Sequence, residues 1–504
     1  MASTFFGLGI ASSGLNGAQV AINTTAHNVS NSMTKGYTRQ VANVVAGEAL
    51  RVNASYGMVG SGVTAKSIDQ IRDSYYDQKY WNNSGSSGEF TSKNYYMEQV
   101  QHYFNEMNTP GFTTYYDDFF NALDHLSGTP SDITKRNQVI QYGQSFAEYY
   151  NNISTNLNKL QEDTNAQVKI MVDRINSLAS GIASLNKQIS TLEMNKGTAN
   201  DLRDQRALLV DELSSIASIK VVEKQSDTGS SSFDIKINGQ NLVYGFSYNE
   251  LAVVPRTSDN KRNSTDVEGL YNIEWANGMT FDMYHKELSG ELKGLIDIRD
   301  GSNGVAPAHD ADGKTLEYKG IPYYVSRIDD FMSGFATEFN KLHVQGQDLE
   351  GNATTEVPFF TVNNMTIDEI KTEIVGKFDA DGKPYTIVSY IKENITARNI
   401  CVNPELIKDN TKMATAYSSK DGTEVGADEQ NLAIDLAELK KVKMFIGGTA
   451  SEYMQSIITV MSINTQAAAS METNHSNIGK AIINQRLSVS GVDKDEEAMD
   501  LVKF

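Results

Sequence analysis

The chain has 504 residues, 39% of them hydrophobic, and carries a formal net charge of −19 at pH 7. Such an acidic chain repels nucleic acid and anionic lipid headgroups, so we expect neither nucleic-acid binding nor membrane insertion. Its single cysteine, Cys401, excludes an intrachain disulfide framework, and the sequence has no run of about 18 apolar residues that would predict a transmembrane helix.

The first 34 residues contain no charged side chain, and apolar residues recur there at every seventh position. Leu8, Leu15, Ile22 and Val29 form this seam, a spacing typical of a helix that packs against another helix. Nearby glycines lower the intrinsic helicity, so the helix is marginal on its own. We expect residues 1–45 to be an assembly segment that is disordered in the monomer; the alternative is an ordinary amphipathic helix of the core.

The same segment lacks both parts of a secretory signal peptide. It has no basic region at its start, and Ser, Thr, Asn and Gln interrupt its apolar residues throughout. If the protein leaves the cell, we expect a route without a cleavable signal peptide.

Helical patterns dominate the next segment, 46–218. Within it, the Ser-Gly-Ser-Ser-Gly run at 84–88 predicts a flexible break. The longest pattern in the chain is an apolar stripe spaced by threes and fours from Ile153 to Leu192. It predicts a helix over about 144–195, roughly 75 Å long at 1.5 Å per residue, and therefore an elongated molecule.

The periodicity changes after residue 218. Asn238-Gly239 and Asn277-Gly278 each lie between alternating apolar residues, which is a strong signal of a β-hairpin. The expected fold class is therefore α+β: an elongated multidomain molecule in which a long, coiled-coil-like helical frame, built from both chain ends, carries inserted β-rich domains. The predicted segments are an inserted β domain over 219–285, a helical part over 286–345, a second β-leaning insert over 346–404, and a C-terminal helical part over 405–504 with an apolar stripe from Met454 to Ile482.

Motifs that carry enzyme chemistry are absent from the sequence. Its seven histidines include no His-Glu-x-x-His zinc motif, and the chain has neither a nucleophile elbow nor a phosphate-binding loop. Two Asp-Ala-Asp-Gly stretches, at 310–313 and 379–382, lack the further oxygen ligands of a calcium loop and are interpreted as turns. We therefore predict no catalytic residue, no metal site and no cofactor, and we do not expect an enzyme.

The N-terminal stretch resembles a known motif. Residues 26–31, Ala-His-Asn-Val-Ser-Asn, and 34–40, Thr-Lys-Gly-Tyr-Thr-Arg-Gln, resemble the N-terminal motif of the bacterial flagellar axial proteins that build the rod, the hook and the hook-associated structures. Three later stretches are similar to the hook–filament junction members of that superfamily: 119–137, 199–213 and 484–497. The inserts match these proteins only loosely.

This resemblance implies a structural subunit of the bacterial flagellum that forms the junction between hook and filament and assembles through its N- and C-terminal helices. The implied partners are other copies of the chain, the hook protein, a second junction protein on the filament side and a cytosolic export chaperone. The implied location is extracellular, on the flagellum, after type III export.

The resemblance also implies an assembly interface made of the seam residues Leu8, Leu15, Ile22 and Val29 together with motif residues. Gly36 would permit a tight exit from the helix. Asn28 and Asn31 would satisfy backbone groups near its end. Tyr37, beside Gly36 in the motif, belongs to the same expected interface.

Two alternatives remain open from the sequence. A secreted adhesin would use the two inserts to bind a surface, and a flagellum-associated cell-wall hydrolase would need a catalytic Asp or Glu. Members of the family continue with a heptad helix beyond the acidic stretch that starts at Asp493, so we also expect this chain to lack most of that final helix.

Overall fold

Helices of very different lengths dominate the computed structural model, which describes residues 5–51, 57–104, 111–194, 197–225, 231–304, 316–418, 426 and 428–503. The helices are α1 (Phe6–Asn31), α2 (Ser74–Tyr103), α3 (Phe112–Ser127), α4 (Ile133–Glu193), α5 (Asn200–Ile216), α6 (Glu291–Asp300), α7 (Ile321–His343), α8 (Ile367–Ile374), α9 (Ile387–Asn394), α10 (Pro404–Lys408), α11 (Asn431–Glu438), α12 (Ala450–Ser490) and α13 (Lys494–Lys503).

The strands form small antiparallel sheets. They are β1 (Gln40–Ala46), β2 (Leu50–Arg51), β3 (Met58–Val59), β4 (Val63–Gln70), β5 (Lys220–Gln225), β6 (Ser231–Ile237), β7 (Gln240–Tyr244), β8 (Ser247–Tyr248), β9 (Leu251–Pro255), β10 (Tyr271–Trp275), β11 (Gly346–Gln347), β12 (Phe360–Val362), β13 (Ile400–Val402) and β14 (Ala416–Tyr417). β5 to β8 form a four-stranded sheet in chain order, and the pairs are β1 with β4, β2 with β3, β9 with β10, β11 with β14 and β12 with β13. Long helices at both ends with several small sheets confirm the predicted α+β fold class.

The longest helix, α4, has 61 residues and spans about 90 Å at 1.5 Å per residue. The predicted apolar stripe packs into the core, where Leu157 and Ile182 are fully buried. The helix begins at Ile133, earlier than predicted, because the Asp132 side chain accepts hydrogen bonds from two backbone amides of the first turn and so caps it.

The Ser-Gly-Ser-Ser-Gly run at 84–88 lies inside α2, so the predicted break was wrong. Its glycines are points of close packing between helices. A Cβ atom on Gly85 would lie 2.7 Å from Ser289 Oγ, and one on Gly88 would overlap the backbone oxygen of Ser215. This close approach of α2 to its neighbours requires glycine, and the packing outweighs glycine's low helix propensity.

The first insert contains the predicted hairpin between β6 and β7. Asn238 and Gly239 have φ angles of 49° and 78°, as a tight hairpin turn requires. At the second Asn-Gly pair, β10 is followed by one isolated bridge, Glu274 to Thr280, instead of a full strand. The strands of the insert pack along α4.

The second insert, predicted to be β-leaning, contains two short helices, α8 and α9, besides the strands β11 to β13. Thr366 and Thr386 each begin a short helix with a capping box, α8 and α9, because their hydroxyls accept the third backbone amide of the helix. The Asp-Ala-Asp-Gly stretch at 379–382 forms the predicted turn, in which Gly382 N donates to Asp379 O at 2.9 Å. The similar stretch at 310–313 lies outside the described residues.

The stripe of α12 is buried in its first part and again at Ile482, but it is exposed in between. Met454 and Met461 are at most 1% exposed, whereas Met471 and Ile478 are 47% and 41% exposed. The buried part packs against α2 and α7, and Asn464 Nδ2 donates to Tyr324 OH at 2.9 Å.

The core joins α3, α4, α7 and β12 through closely packed aromatic rings. Phe119, Phe146, Phe335, Phe339 and Phe360 are all fully buried, and the Phe146 and Phe335 ring centroids are 5.2 Å apart. Edge-to-face and offset contacts of this kind add about 0.5–1.5 kcal/mol per pair to the burial of apolar surface.

The 119–137 motif stretch supplies part of this core and its buried charge. Arg136 is fully buried, and its guanidinium donates to Pro130 O at 2.7 Å and to Thr415 Oγ1 at 2.9 Å. Burial lowers the pKa of Arg136 to about 10. These hydrogen bonds connect α4 to the chain around β14, so Arg136 stabilises the packing of the core.

The buried His343 makes the stability of this core depend on pH. His343 Nε2 accepts from Ala414 N at 3.1 Å, so the proton lies on Nδ1, which donates to Val357 O at 2.9 Å. Burial lowers the pKa of His343 to about 4. A lowered histidine pKa favours the folded state above the unfolded pKa of about 6.5, and this contribution is lost as the pH falls towards 4.

We expect the free energy of unfolding to fall by up to about 3 kcal/mol between pH 6.5 and pH 4 through His343 alone. Urea unfolding of the wild type and of His343→Gln at several pH values checks this, because the glutamine amide cannot be protonated in this range. The stability difference between the two chains should shrink on acidification. A difference that stays constant with pH would contradict the prediction.

Candidate assembly interface

Helix α1 forms where the seam predicted it, but a different face of the helix is buried. The buried residues are small or polar: Gly17, Ala21, Thr24, Thr25 and Asn28. They pack on the β1–β4 hairpin and on α13, where a Cβ atom on Gly17 would already lie 3.3 Å from a methyl group of Val63. Small side chains therefore let α1 lie close to the hairpin.

The predicted seam points largely away from this contact. Leu8 and Leu15 are 66% and 71% exposed, while Ile22 and Val29 are half-buried. Helix α13, which packs against α1, exposes Met499 and Val502. We call the exposed residues Leu8, Leu15, Met499 and Val502 the assembly face, because large apolar side chains at this exposure favour contact with another surface.

Asn28 is the centre of a buried polar network at the end of α1. Its Nδ2 donates to Gln40 O at 2.8 Å and to Glu497 Oε2 at 3.0 Å. Its Oδ1 accepts from Gln40 N at 3.0 Å and from Tyr37 OH at 2.8 Å. With 1% of its surface exposed, Asn28 has all four hydrogen-bonding positions of its amide occupied, and it connects α1, β1 and α13.

The chain leaves α1 through a turn that Gly36 makes possible. Gly36 has a φ angle of +80°, and a Cβ atom there would lie 2.5 Å from the Leu208 side chain on α5. Asn31, the other predicted asparagine, stays close to its own helix, where its Nδ2 donates to His27 O at 3.1 Å. The turn brings Tyr37 back to Asn28, and burial together with the charges of nearby carboxylates raises the pKa of Tyr37.

Asp204 on α5 holds the strand that follows this turn. Thr38 N and Thr38 Oγ1 donate to its carboxylate at 2.9 and 2.7 Å, and Gln70 Nε2 donates at 2.8 Å. Burial raises the pKa of Asp204, although these hydrogen bonds and Arg72 oppose the shift. Asp204 therefore links β1 and β4 to the helical frame through a desolvated carboxyl group.

Arg39 connects the same strand to the end of the chain. Its Nε contacts Glu497 Oε1 at 2.5 Å, and its guanidinium lies 3.2 Å from Glu496 and 3.7 Å from Asp500. Arg39 N also donates to Ser490 O at 2.9 Å. Burial lowers the pKa of Arg39, but the bond to Glu497 and its charge outweigh burial and raise it. Because Glu497 is almost completely buried, it depends on Arg39 and Asn28 for partners.

A second arginine fixes the end of α12. Arg486 lies 2.7 Å from Asp77 Oδ1 on α2 and 2.7 Å from Asp211 Oδ2 on α5. Asp211 also accepts from Trp81 Nε1 at 2.7 Å. The end of α12 is thereby held beside α2 and α5, which positions α13 next to α1.

Residues from three of the motif stretches thus meet in one place, which we call the joint: Asn28, Tyr37, Arg39, Gln40, Asp204 and Glu497. The sequence singled out Asn28 and Tyr37 but assigned no role to the other four, although each lies in a quoted stretch. Charge was the sequence feature that could have indicated these contacts, because the motif around Arg39 is basic and the stretches around Asp204 and Glu497 are acidic.

Within the described part of the chain, no group of three or more His, Cys, Asp or Glu side chains is arranged to hold a metal ion. No helix found there is both long and apolar enough to cross a membrane. The structure presents exposed apolar side chains on α1 and α13, two helices that the joint connects, and such side chains favour contact with a neighbouring protein surface.

Comparison with known proteins gives a consistent result. Residues 97–360 match the family model described as the helical domain of flagellar hook-associated protein FlgK. Proteins named flagellar hook-associated protein 1 are similar over nearly the full length: that of Bacillus subtilis is 29% identical, covering 100% of this chain and 94% of its own, and that of Escherichia coli is 25% identical, covering 98% and 94%. The solved structure of the flagellar hook junction protein FlgK from Burkholderia pseudomallei has the same fold, with a TM-score of 0.60 at 13% identity, covering 82% of this chain and 100% of that one.

Proposed function

The chain belongs to the flagellar hook-associated protein FlgK family, and from this premise we propose that it is a structural subunit of the bacterial flagellum at the junction between hook and filament. The observation that carries the proposal at the level of residues is the assembly face, which leaves Leu15 71% exposed on an uncharged helix. Apolar side chains at this exposure favour burial against another protein surface.

We propose that the assembly face of one copy packs against a different surface of the next copy. The joint holds α1 and α13 against each other, and each of the two helices exposes large apolar side chains. A contact between two different surfaces of the same chain generates a ring or an open helix instead of a closed pair, which is the geometry that a fibre needs. The seam residues Ile22 and Val29, half-buried in the single subunit, would mark the boundary between the assembly face and the joint.

The partners, the location and the absence of catalysis are proposed from the same premise. The partners would be other copies, the hook protein, a second junction protein on the filament side and a cytosolic export chaperone. The location would be extracellular, on the flagellum, reached by type III export without a cleavable signal peptide. The family role is structural, and we propose that the chain has no catalytic activity.

The two alternatives from the sequence, a secreted adhesin and a cell-wall hydrolase, gain no support from the relatives, whose names describe flagellar hook-associated proteins. Turnover of peptidoglycan by the purified chain, abolished by a single Asp or Glu substitution, would restore the hydrolase.

The proposed function predicts a specific defect in a strain that lacks this chain. Electron microscopy should show hooks without attached filaments, and expression of the full chain should restore filaments. A strain that carries filaments on its hooks in the absence of the chain would refute the proposal.

A further inference from the structure

One side of α12 presents an apolar face that the subunit leaves exposed. Ile463 is 61% exposed, more than Met471 and Ile478, and Ala467 and Ala481 are exposed as well. At 100° per residue, these five positions fall within about 80° of one another around the helix. We call them the outer face of α12.

The outer face carries no charge, although the whole chain has a net charge of −19. Between Glu452 and Arg486, the only Asp, Glu, Lys or Arg residues are Glu472 and Lys480. Glu472 Oε2 accepts from Asn94 Nδ2 on α2 at 2.8 Å, and Lys480 lies at least about 100° around the helix from every member of the outer face. Burial of the outer face against another protein therefore desolvates no charged side chain.

The contact between α12 and α2 lies on another side of α12. There Asn83 Nδ2 donates to His475 O at 3.0 Å, and the Phe90 and His475 rings stack with their centroids 5.5 Å apart. Helix α2 therefore covers one side of α12 and leaves the outer face in contact with solvent.

The assembly face on α1 has the same spacing of large apolar side chains. Leu8 and Leu15 are seven residues apart, as are Met471 and Ile478, which is about 10.5 Å along each helix axis. Helices with apolar residues at every seventh position interlock these side chains along their length. Helix α1 also contains no Asp, Glu, Lys or Arg. Because both faces are exposed in the same subunit, a contact between them joins two copies.

The exposed side of α4 shows why α12 is the better acceptor. Ile170 on α4 is 50% exposed, but exposed charged residues surround it: Glu162, Asp163, Lys169, Asp173 and Arg174. Packing α1 there would remove these charges from water, and α1 has no charge with which to compensate them. The uncharged outer face of α12 imposes no such cost.

We propose that the outer face of α12 in one copy packs against Leu8 and Leu15 of a second copy. This inference rests on the proposed function, because it names the surface that the assembly face contacts. The two faces are different surfaces of the same chain, so the contact is heterologous and repeats around a ring or along an open helix. Removal of large apolar side chains from water on both helices stabilises the contact.

Cross-linking in assembled flagella tests this contact directly. In a Cys401→Ser background, which removes the single native cysteine, the full chain carries Leu15→Cys with either Met471→Cys or Ile478→Cys. Mild oxidation should give a ladder of dimers and higher multiples from one of these two pairs, depending on the relative direction of the helices. Leu15→Cys with Ile170→Cys is the matched control and should give none. Normal junctions without a ladder, or with a ladder no stronger than the control, would overturn the inference and leave the proposed function intact.

Charged substitutions on the outer face give a second test without introduced cysteines. Met471→Lys and Ile478→Lys should keep the thermal unfolding of the wild type but reduce swimming of the complemented null strain several-fold. Ile170→Lys, at a similarly exposed position of α4, should swim normally. Adding one of the two outer-face lysines to Leu15→Asp should restore part of the filaments, because a carboxylate of one copy then meets an ammonium group of the next.

The outcomes of this second test separate the inference from the proposed function. Normal swimming of both outer-face variants, loss of thermal stability in both, or rescue of Leu15→Asp that is absent or equalled by Ile170→Lys would overturn the inference. Failure of the unmodified chain to restore filaments in the null strain would instead refute the proposed function.

Discussion

A Leu15→Asp chain should fold normally but fail to join hook to filament. Leu15 is 71% exposed in the single subunit, so its replacement should change the free energy of unfolding by less than about 0.5 kcal/mol. In the assembly, the change removes about 2 kcal/mol of apolar burial per copy and places an unpaired carboxylate in an apolar contact. Because every copy carries the defect, we expect motility to be lost.

Thermal unfolding of the purified chain and swimming of the complemented null strain measure these two effects separately. Asn16→Asp is the matched control, because it places the same carboxylate on an exposed position of α1, one residue along and about 100° around the helix. Asn16→Asp should swim. Wild-type motility of Leu15→Asp, or a large loss of its thermal stability, would show that Leu15 does not belong to an assembly contact.

An Asn28→Asp chain should release α1 from the rest of the subunit. The new carboxylate would face Gln40 O and the Glu497 carboxylate, which in the wild type accept from Asn28 Nδ2 at 2.8 and 3.0 Å. Two donated hydrogen bonds would be replaced by repulsion between buried groups, at a local cost of about 3 kcal/mol or more. We expect amide hydrogen exchange to accelerate in α1 and α13, while the aromatic core around Phe335 stays protected.

Two further variants show whether the effect arises at the joint. Asn31→Asp changes a neighbouring asparagine that bonds within its own helix, and it should leave exchange in α13 unchanged. Adding Glu497→Gln to Asn28→Asp removes the repulsion and supplies a donor, so protection should partly return. Equal exchange in Asn28→Asp and the wild type would contradict the role assigned to the joint.

The sequence predicted those parts of the fold that local patterns determine. The seven-residue seam located α1, the spacing of threes and fours located α4, and Asn238-Gly239 located a hairpin, because each signal lies within one element. The Ser-Gly-Ser-Ser-Gly run misled because local propensity favours a break, whereas close packing of α2 against Ser215 and Ser289 decides the outcome.

The candidate site was predictable only in part, for a related reason. Leu8 and Leu15 follow from periodicity, and Gly36 from the motif. The partners of Asn28 and Thr38 lie far away in the chain: Asp204 is 166 residues from Thr38, and Glu497 is 469 residues from Asn28. Periodicity carries no information about contacts over such separations, so the convergence of the three stretches required the structure.

The distance along the chain between Asn28 and Glu497 has a consequence for folding. The two residues of this contact are separated by 469 residues in the sequence. Closing a loop of this length is slow compared with forming the local helices. During synthesis, the ribosome must complete residue 497 before the buried amide of Asn28 can find its carboxylate. The end of the subunit that contains the joint is therefore expected to fold last, after α4 and its aromatic surroundings, and an interrupted translation product would leave α1 without its contacts to α13.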